Sequence, residues 1–435
     1  MLLSIAKKGQ SMFLLSFVFF IFIGTVLLKT SGTRIAGELS WVDAVFMATS
    51  AVCVTGLATV PATEFNIFGQ LILITLIQIG AIGVMTLSAS ILLSLGKGLS
   101  FSNTLLISSL NDNFSLRGTE GLTRTVIKYT FLSELCGMLV IYIGCLLNGA
   151  NWLISIWDAF FLAVSSFCNA GLSTFNDSMA SQHILSQFGC IGLIVCGGLG
   201  VYVIYDLLQV INQKQQKLRL HSKVVLGTTA LLLATGTLLF KFTGLKNGTQ
   251  LDWMDAFFLS ASCRTAGFAT FDVGKLSDAG LLTAMVLMLI GASPGSTGGG
   301  MKTSTIAVAA AAIWNTFQGN TEVLMFKRMI PSSNVLRAFS IIVIFLLITY
   351  LGVMTMQWLS PETEMRELIF ESISALTTTG LSINGTTPSF GVPAKLMLSV
   401  LMFIGRMGPF TIMLFLLSRE KPGQLKYPQE RIIIG

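Results

Sequence analysis

The chain has 435 residues, of which 53% are hydrophobic and only 11% charged, far short of the roughly 25% charged residues of a soluble domain. That balance excludes a soluble globular protein, and it removes the usual reading of a net charge of +7 as a nucleic-acid surface. Runs such as Met12–Leu28 and Ile341–Val353 belong in a hydrocarbon layer ~30 Å thick, which about 20 helical residues cross.

Met12–Leu28 reads as the first span. It is long enough to cross, and Lys29-Thr30-Ser31-Gly32 after it is a poor cleavage site for a signal peptide. A polar link leads to a short helix over Trp41–Val52, a loop, and a return span over Ile67–Leu95. Gly96–Thr125 is a polar connection. The order then recurs: Val126–Leu147 spans, Trp157–Phe167 is short, Cys168–Thr174 is a loop, and Leu185–Ile211 spans back. A third round has Val224–Phe242, Trp253–Ser262, the loop Cys263–Thr270 and a return from Ala279. The fourth has Leu336–Leu359, Arg366–Leu376, the loop Thr377–Asn384 and Pro393–Leu417. The units are 1–96, 97–222, 223–330 and 331–417, with a polar tail over 418–435.

The loops repeat in sequence as well as in place. Ser50-Ala51-Val52-Cys53-Val54-Thr55-Gly56-Leu57 matches Ser165-Ser166-Phe167-Cys168-Asn169-Ala170-Gly171-Leu172 and Ser374-Ala375-Leu376-Thr377-Thr378-Thr379-Gly380-Leu381. A looser copy is Ala261-Ser262-Cys263-Arg264-Thr265-Ala266-Gly267-Phe268. An acid opens each short helix: Asp43, Asp158, Asp255 and Glu367. Its distance to the glycine is the same in three copies and one residue shorter in the Asp255 copy. Plain connectors have no reason to repeat, so internal similarity of this kind defines the architecture. The expected fold is an all-α integral membrane protein, with eight transmembrane helices as four fused span–pore-loop–span repeats around one central pore.

The short helices cannot cross a bilayer, so they are expected to dip in and turn back. Non-helical backbone at that depth is tolerated only where it is buried in protein or lines a watery cavity. Glycine allows the positive φ that aims successive carbonyls the same way. Four such loops on one axis can replace a cation's water shell with peptide oxygens, and the C-terminal end of each short helix adds partial negative charge. Asp43, Glu64, Asp158, Asp177 and Glu371 would favour cations at the outer mouth. The expected ion-binding residues are Val54, Thr55 and Gly56; Asn169, Ala170 and Gly171; Thr265, Ala266 and Gly267; and Thr378, Thr379 and Gly380.

The third return run is broken. Ala279–Ile290 is too short to span and runs into Gly291-Ala292-Ser293-Pro294-Gly295-Ser296-Thr297-Gly298-Gly299-Gly300 before resuming at Met301. A helix interrupted at membrane depth belongs beside a water-filled path, so this loop is the expected gate. Gly291, Gly295, Gly298, Gly299 and Gly300 are its hinge residues and Lys302 its flank. The segment nearly fits a phosphate loop, but Met301 separates the last glycine from Lys302 and no βαβ unit surrounds it. Arg406 stands inside the last span, where an arginine costs about 2.5–3.5 kcal/mol on insertion scales. Arg264 sits in the third loop and needs a partner; Glu371 and Asp255 are candidates, and packing as a brace behind the loop is the simpler reading.

The seven cysteines show no CxxC or Cys/His spacing, so neither a disulfide framework nor a zinc site is expected. Only His183 and His221 are present, and no span carries a protease signature, so an enzyme is not expected. Lys and Arg fall more than two to one on the side opposite the four loops, which places both termini in the cytoplasm. No cofactor is expected in this chain. The basic inner face suits an acidic partner or membrane lipid heads.

The four glycine loops resemble those of the Trk/Ktr/HKT superfamily of potassium transporters, across essentially the whole chain. Eight spans and a short N-terminus are closest to the membrane subunit of bacterial Ktr systems. In that superfamily a glycine in every loop goes with K⁺, and a serine in the first loop marks sodium-permeable plant members. The resemblance therefore implies K⁺ as the transported ion and Na⁺ as an activator. It implies a gate loop beneath the filter with the counterpart of Arg406 beside it, a homodimer, and a cytosolic ring of nucleotide-binding regulatory subunits, in a multi-pass protein of the cytoplasmic membrane. The tail Gln429–Gly435 is expected at the dimer contact. A Na⁺/K⁺ coupled carrier of the same superfamily is the alternative; its class usually shows inverted repeats and paired broken helices, whereas these repeats share one orientation and one break is read here.

Overall fold

The short helices of the first two units start on a side-chain cap. Ser40 accepts from the Asp43 N–H at 3.0 Å, and Asn151 accepts from the Leu153 N–H at 3.0 Å, satisfying donors that a first helical turn leaves open. In a computed structural model, residues 2–30, 32–35, 37–95, 117–213, 215–383 and 385–408 are described. The first unit is α1 (Leu2–Lys29), α2 (Trp41–Cys53) and α3 (Ile67–Leu95); the second is α4 (Arg117–Leu147), α5 (Trp152–Cys168), α6 (Ile184–Leu199) and α7 (Val201–Ile211). The third has α8 (Leu220–Thr243), α9 (Trp253–Ser262), α10 (Asp278–Leu289) and α11 (Thr303–Phe317). A hairpin of β1 (Val323–Met325) and β2 (Arg328–Ile330), absent from the sequence reading, pairs Leu324 with Met329. The fourth unit is α12 (Ser332–Leu359), α13 (Met365–Thr377), the short α14 (Thr386–Ser389) and α15 (Val392–Met407).

Among the described residues three helices are long and apolar enough to cross a membrane alone: Val126–Leu147 within α4, α8 and α12. The last part of the fourth return run, the connection after α3 and the tail expected at a dimer contact lie outside the described residues.

Two return runs are broken, where one was expected. The chain bends by 96° between α6 and α7 at Gly200, whose φ is +85°. A Cβ there would meet the Pro294 carbonyl oxygen at 2.5 Å, and the Val201 N–H donates to the Gly295 carbonyl at 3.1 Å. The loop between α10 and α11 therefore occupies the place where α6 would have continued. That is a tertiary cause, invisible in the apolar run Leu185–Ile211.

The short helices α2, α5, α9 and α13 form the buried centre. Phe46, Phe161, Phe258 and Phe370, one on each, are wholly buried. Long helices enclose them: α1 packs on α2, α4 on α5, α8 on α9 and α12 on α13. The circle closes because α15 of the last unit packs on α2 of the first. Outward-facing Phe131, Leu139, Val343 and Tyr350 are exposed, as expected of a surface that meets lipid rather than water.

Candidate functional site

The four loops finish their helices in one way. Val54, Asn169, Thr265 and Thr378, each two residues before its loop glycine, adopt left-handed backbone with φ of 55°, 60°, 72° and 52°. In three copies this residue is the helix C-cap; in the third Cys263 remains right-handed and Thr265 makes the turn. The one-residue difference in acid-to-glycine spacing is absorbed there. A serine near the start of each motif then ties the loop back. Ser50 and Ser374 accept from the N–H groups of Gly56 and Gly380, both at 3.1 Å, while Ser165 and Ser262 donate to the carbonyls of Leu172 and Phe268.

The loops meet head to tail. A Cβ built on Gly56 would lie 2.4 Å from the Ala170 oxygen, and one on Gly171 would lie 2.8 Å from the Ala266 oxygen. Gly267 stands in the same relation to Thr379 at 2.4 Å, and Gly380 to Thr55 at 2.1 Å. Loop one thus touches two, two touches three, three touches four, and four returns to one. Each contact sets a glycine against the carbonyl just before the next loop's glycine. The twelve expected ion-binding residues are brought into this one ring. The hydroxyls of Thr55, Thr265 and Thr378 and both amide atoms of Asn169 are buried without a hydrogen-bond partner.

A second set of glycines, which the sequence reading did not single out, holds the ring from behind. Gly80, Gly197 and Gly405 would put a Cβ 2.0, 1.9 and 1.8 Å from the carbonyls of Val52, Phe167 and Leu376. Each carbonyl belongs to the residue four before a ring glycine. The readable signal was a glycine 24–26 residues after every ring glycine. Its third member is Gly291, where the helix breaks. Gly291 packs instead on its own loop, 2.2 Å from the Gly299 oxygen by the same measure.

The expected gate residues also converge. The loop between α10 and α11 closes on itself: the Met301 N–H donates to Leu289 and the Thr303 N–H to Ala292. Its tip reaches the ring, where a Cβ on Gly298 would meet the Thr265 hydroxyl at 2.0 Å and one on Gly299 the Thr378 hydroxyl at 2.3 Å. The Thr297 hydroxyl donates to the Phe167 carbonyl at 3.1 Å. Lys302 donates through Nζ to the Gly298 carbonyl at 2.7 Å. Arg406, 6% exposed, donates to the Thr297 carbonyl and, at 3.1 Å, to the Gly80 carbonyl. It therefore ties the loop to the first return helix.

Three expectations about charges change. Glu371 is not at the mouth: it is wholly buried and accepts from Ser382, Thr387 and the Ile383 N–H at 2.5, 2.9 and 3.1 Å. It braces the segment after its loop, one helical turn beyond the helix-opening Glu367. Asp255 likewise accepts from the Thr270 hydroxyl at 2.7 Å. Neither acid pairs with Arg264, whose guanidinium donates to the Thr229 hydroxyl at 3.2 Å while its Nε has no partner; the brace reading stands. Asp43 is paired with Lys395 on α15 at 3.0 Å and bonded by Ser40 at 2.6 Å. Burial alone would raise its carboxyl, but the bonds from Ser40 and Lys395 and the lysine charge hold it below its ordinary value.

A family model described as a cation transport protein, TrkH, matches residues 7–423. The chain belongs to the TrkH family of cation transport proteins. Among curated TrkH relatives, a Ktr system potassium uptake protein B of Vibrio alginolyticus is 36% identical over 99% of this chain and 96% of its own. A potassium/sodium uptake protein, NtpJ, of Enterococcus hirae is 34% identical, covering 96% and 95%. A Ktr system potassium uptake protein B of Bacillus subtilis is 30% identical, covering 97% and 95%. The crystal structure of the potassium transporter TrkH from Vibrio parahaemolyticus superposes with a TM-score of 0.73 at 17% identity, over 95% of this chain and 85% of that one. That likeness gives the fold: a TrkH-type helical membrane protein.

Proposed function

We propose that this chain is a potassium uptake protein whose ion path runs through the ring of four glycine loops. The observation that carries the reading is the closed head-to-tail contact of Gly56, Gly171, Gly267 and Gly380 with the Ala170, Ala266, Thr379 and Thr55 carbonyls. Peptide oxygens gathered on one axis can stand in for an ion's water shell, and four loops, each with one left-handed residue before its glycine, supply them without side-chain carboxylates. The relatives named for potassium uptake support the choice of ion.

In this reading K⁺ enters from the side of the loops, sheds water among the carbonyls of residues 54–56, 169–171, 265–267 and 378–380, and meets the 291–300 loop below. The partnerless groups of Thr55, Asn169, Thr265 and Thr378 receive an ion's remaining water. The loop acts as the gate: Gly298 and Gly299 press on the ring, and Arg406 and Lys302 hold it there by its own carbonyls. Inward flux is driven by the membrane potential, worth about 2.3 kcal/mol per charge per 100 mV. In this reading the protein has eight spans in the cytoplasmic membrane with both termini in the cytoplasm, supported by the excess of Lys and Arg on the side opposite the loops, and its basic inner face suits a homodimer's regulatory ring of cytosolic subunits.

A coupled Na⁺/K⁺ carrier gains one point from the structure, because two return runs break rather than one. The break at Gly200 is, however, seated on the gate loop itself, so the two breaks form one feature at one depth. Purified protein in liposomes tests the proposal through K⁺, Rb⁺ and Na⁺ fluxes. Expected are K⁺ and Rb⁺ fluxes well above Na⁺, at rates above those of carriers; equal K⁺ and Na⁺ fluxes would sink the ion assignment.

A further inference from the structure

Glu134 lies near the middle of the Val126–Leu147 span of α4 and is 6% exposed. An acid at that depth is kept only where something compensates its charge. No lysine or arginine pairs with it among the described residues. Arg406 is committed to the Thr297 and Gly80 carbonyls. What Glu134 has is a hydrogen bond from the Gln78 amide on α3, 3.0 Å to its Oε1.

One turn earlier, on the same face of α4, stands Thr130. It is wholly buried and its hydroxyl has no hydrogen-bond partner. Threonines elsewhere in this chain satisfy that hydroxyl on the carbonyl four residues back, as Thr75, Thr235 and Thr349 do at 2.7–2.9 Å. Thr130 departs from that habit beside a carboxyl that has no counter-charge. The two groups are not hydrogen-bonded to each other.

We propose that Glu134 Oε2 and the Thr130 hydroxyl bind one small monovalent cation, a proton or a sodium ion, that neutralises the buried carboxylate. Gln78 fixes Oε1, which leaves Oε2 for the cation. The site is one side chain from the ring: Gln78 Oε1 accepts from the Cys168 thiol at 3.3 Å, and Cys168 is the last residue of α5, next to Asn169. Occupancy therefore removes a negative charge beside the second loop. The titratable groups on the elements packed against α4 are Asp158 and Cys168 on α5, Cys190 and Cys196 on α6, and Tyr202, Tyr205 and Asp206 on α7; α3 carries none. Of these, Cys168 is bonded into the cluster. Any effect on flux rests on the ion path proposed above; the occupancy itself does not.

The full chain in lipid nanodiscs provides the test. Thermal midpoints are compared in NaCl and in choline chloride of equal ionic strength, and the infrared C=O band of protonated carboxylic acid is followed from about pH 5 to pH 9. A sodium site raises the wild-type midpoint in NaCl, and Glu134→Gln and Thr130→Val both lose that rise. A proton site shows an acid band that Glu134→Gln removes, with no sodium-dependent rise. Should Glu134→Gln not fold, Glu134→Asp keeps the acid and moves it, which displaces the band or weakens the sodium response. A wild type with neither a sodium-dependent midpoint nor an acid band altered by these substitutions holds a bare carboxylate, and that overturns the proposal.

Discussion

Alanine placed at each ring glycine in turn gives a graded perturbation whose order follows from the geometry. The Cβ would fall 2.1 Å from a backbone oxygen at Gly380, 2.4 Å at Gly56 and Gly267, and 2.8 Å at Gly171, where ordinary contact begins near 3.4 Å. The neighbouring loop must therefore yield by more than 1 Å at Gly380 and by about half that at Gly171. Each position also has φ between 69° and 97°, and a side chain held in such strained backbone costs of order 1–3 kcal/mol. Both burdens are relieved by opening the ring, because every clashing atom belongs to another loop. If the K⁺ preference depends on where the ring holds its oxygens, that strain converts at 1.4 kcal/mol per tenfold into a K⁺/Na⁺ ratio lowered by roughly 5- to 140-fold. The loss should be largest for Gly380→Ala, intermediate for Gly56→Ala and Gly267→Ala, and smallest for Gly171→Ala, in liposome fluxes of K⁺, Rb⁺ and Na⁺. Gly149 is the control, with φ of +80° and no atom within 4 Å of a built Cβ; Gly149→Ala carries backbone strain without touching the ring. A wild-type ratio in folded Gly380→Ala, or a uniform loss at all four positions, would refute the reasoning.

Arg406→Gln should free the loop between α10 and α11. It strips the Thr297 carbonyl of its arginine donor and removes the tie to Gly80, and a buried group left unsatisfied costs about 1–3 kcal/mol. Expected are a higher K⁺ flux without any partner protein and a midpoint several degrees lower; an unchanged flux would separate Arg406 from the gate. Gly197→Ala, with a Cβ 1.9 Å from the Phe167 oxygen, should fail to yield a stable protein in a detergent melting assay, whereas Gly192→Ala five residues earlier, with open space around it, should melt as the wild type does. The Asp43–Lys395 pair predicts an acid-sensitive step. Because the folded carboxyl is held below its ordinary value, the stabilisation is present above the unfolded value of about 3.9 and is lost as pH falls through the lower folded value. The difference in melting midpoint between wild type and Lys395→Met should therefore shrink below about pH 4 and stay constant from about pH 5 to 7; a gap that widens on acidification would contradict the sign.

Most of the ring was legible from residues alone, because its requirements are local. A glycine ends each copy, and Gly56, Gly171, Gly267 and Gly380 take the positive φ expected of them; the left-handed turn at Val54, Asn169, Thr265 and Thr378 was not legible, because three of these residues are β-branched and disfavour it. The span limits were close too: Ile67–Leu95 and Trp253–Ser262 are the observed helices. What sequence could not show depends on a neighbour. The bend at Gly200 exists because another unit's loop fills the path ahead, and no local run of residues records that. The role of Glu371 was misplaced for a similar reason: its partners Ser382, Ile383 and Thr387 lie beyond the loop glycine, and spacing to the glycine favoured Glu367. The β1–β2 hairpin went unread because its short strands sit in a stretch with exposed Leu324, Phe326 and Met329, whose apolar pattern is no stronger than that of a connector.

The third unit departs from an otherwise regular repeat at the loop proposed as the gate. In units one, two and four a return helix lays a glycine against the last turn of its short helix, so that Gly80, Gly197 and Gly405 touch Val52, Phe167 and Leu376. Such contacts admit no side chain and leave no room to slide. Gly291 holds the corresponding place in the third unit, yet the chain leaves the helix at Ile290 and its glycine meets Gly299 and Gly300 instead. One of four buttresses has been exchanged for a loop. The backbone groups released by that exchange are satisfied by other units: Gly197 and Gly198 accept from the loop's Thr297 and Ser293 N–H groups, and Arg406 donates to the Thr297 carbonyl. Buried backbone in a membrane must find partners wherever it lies. Moving the loop therefore means breaking bonds to the second and fourth units together, while Gly291, Gly295 and Gly298–Gly300 leave few side chains to repack. A loop tied in this way has few intermediate positions, which suits the gating role proposed for it.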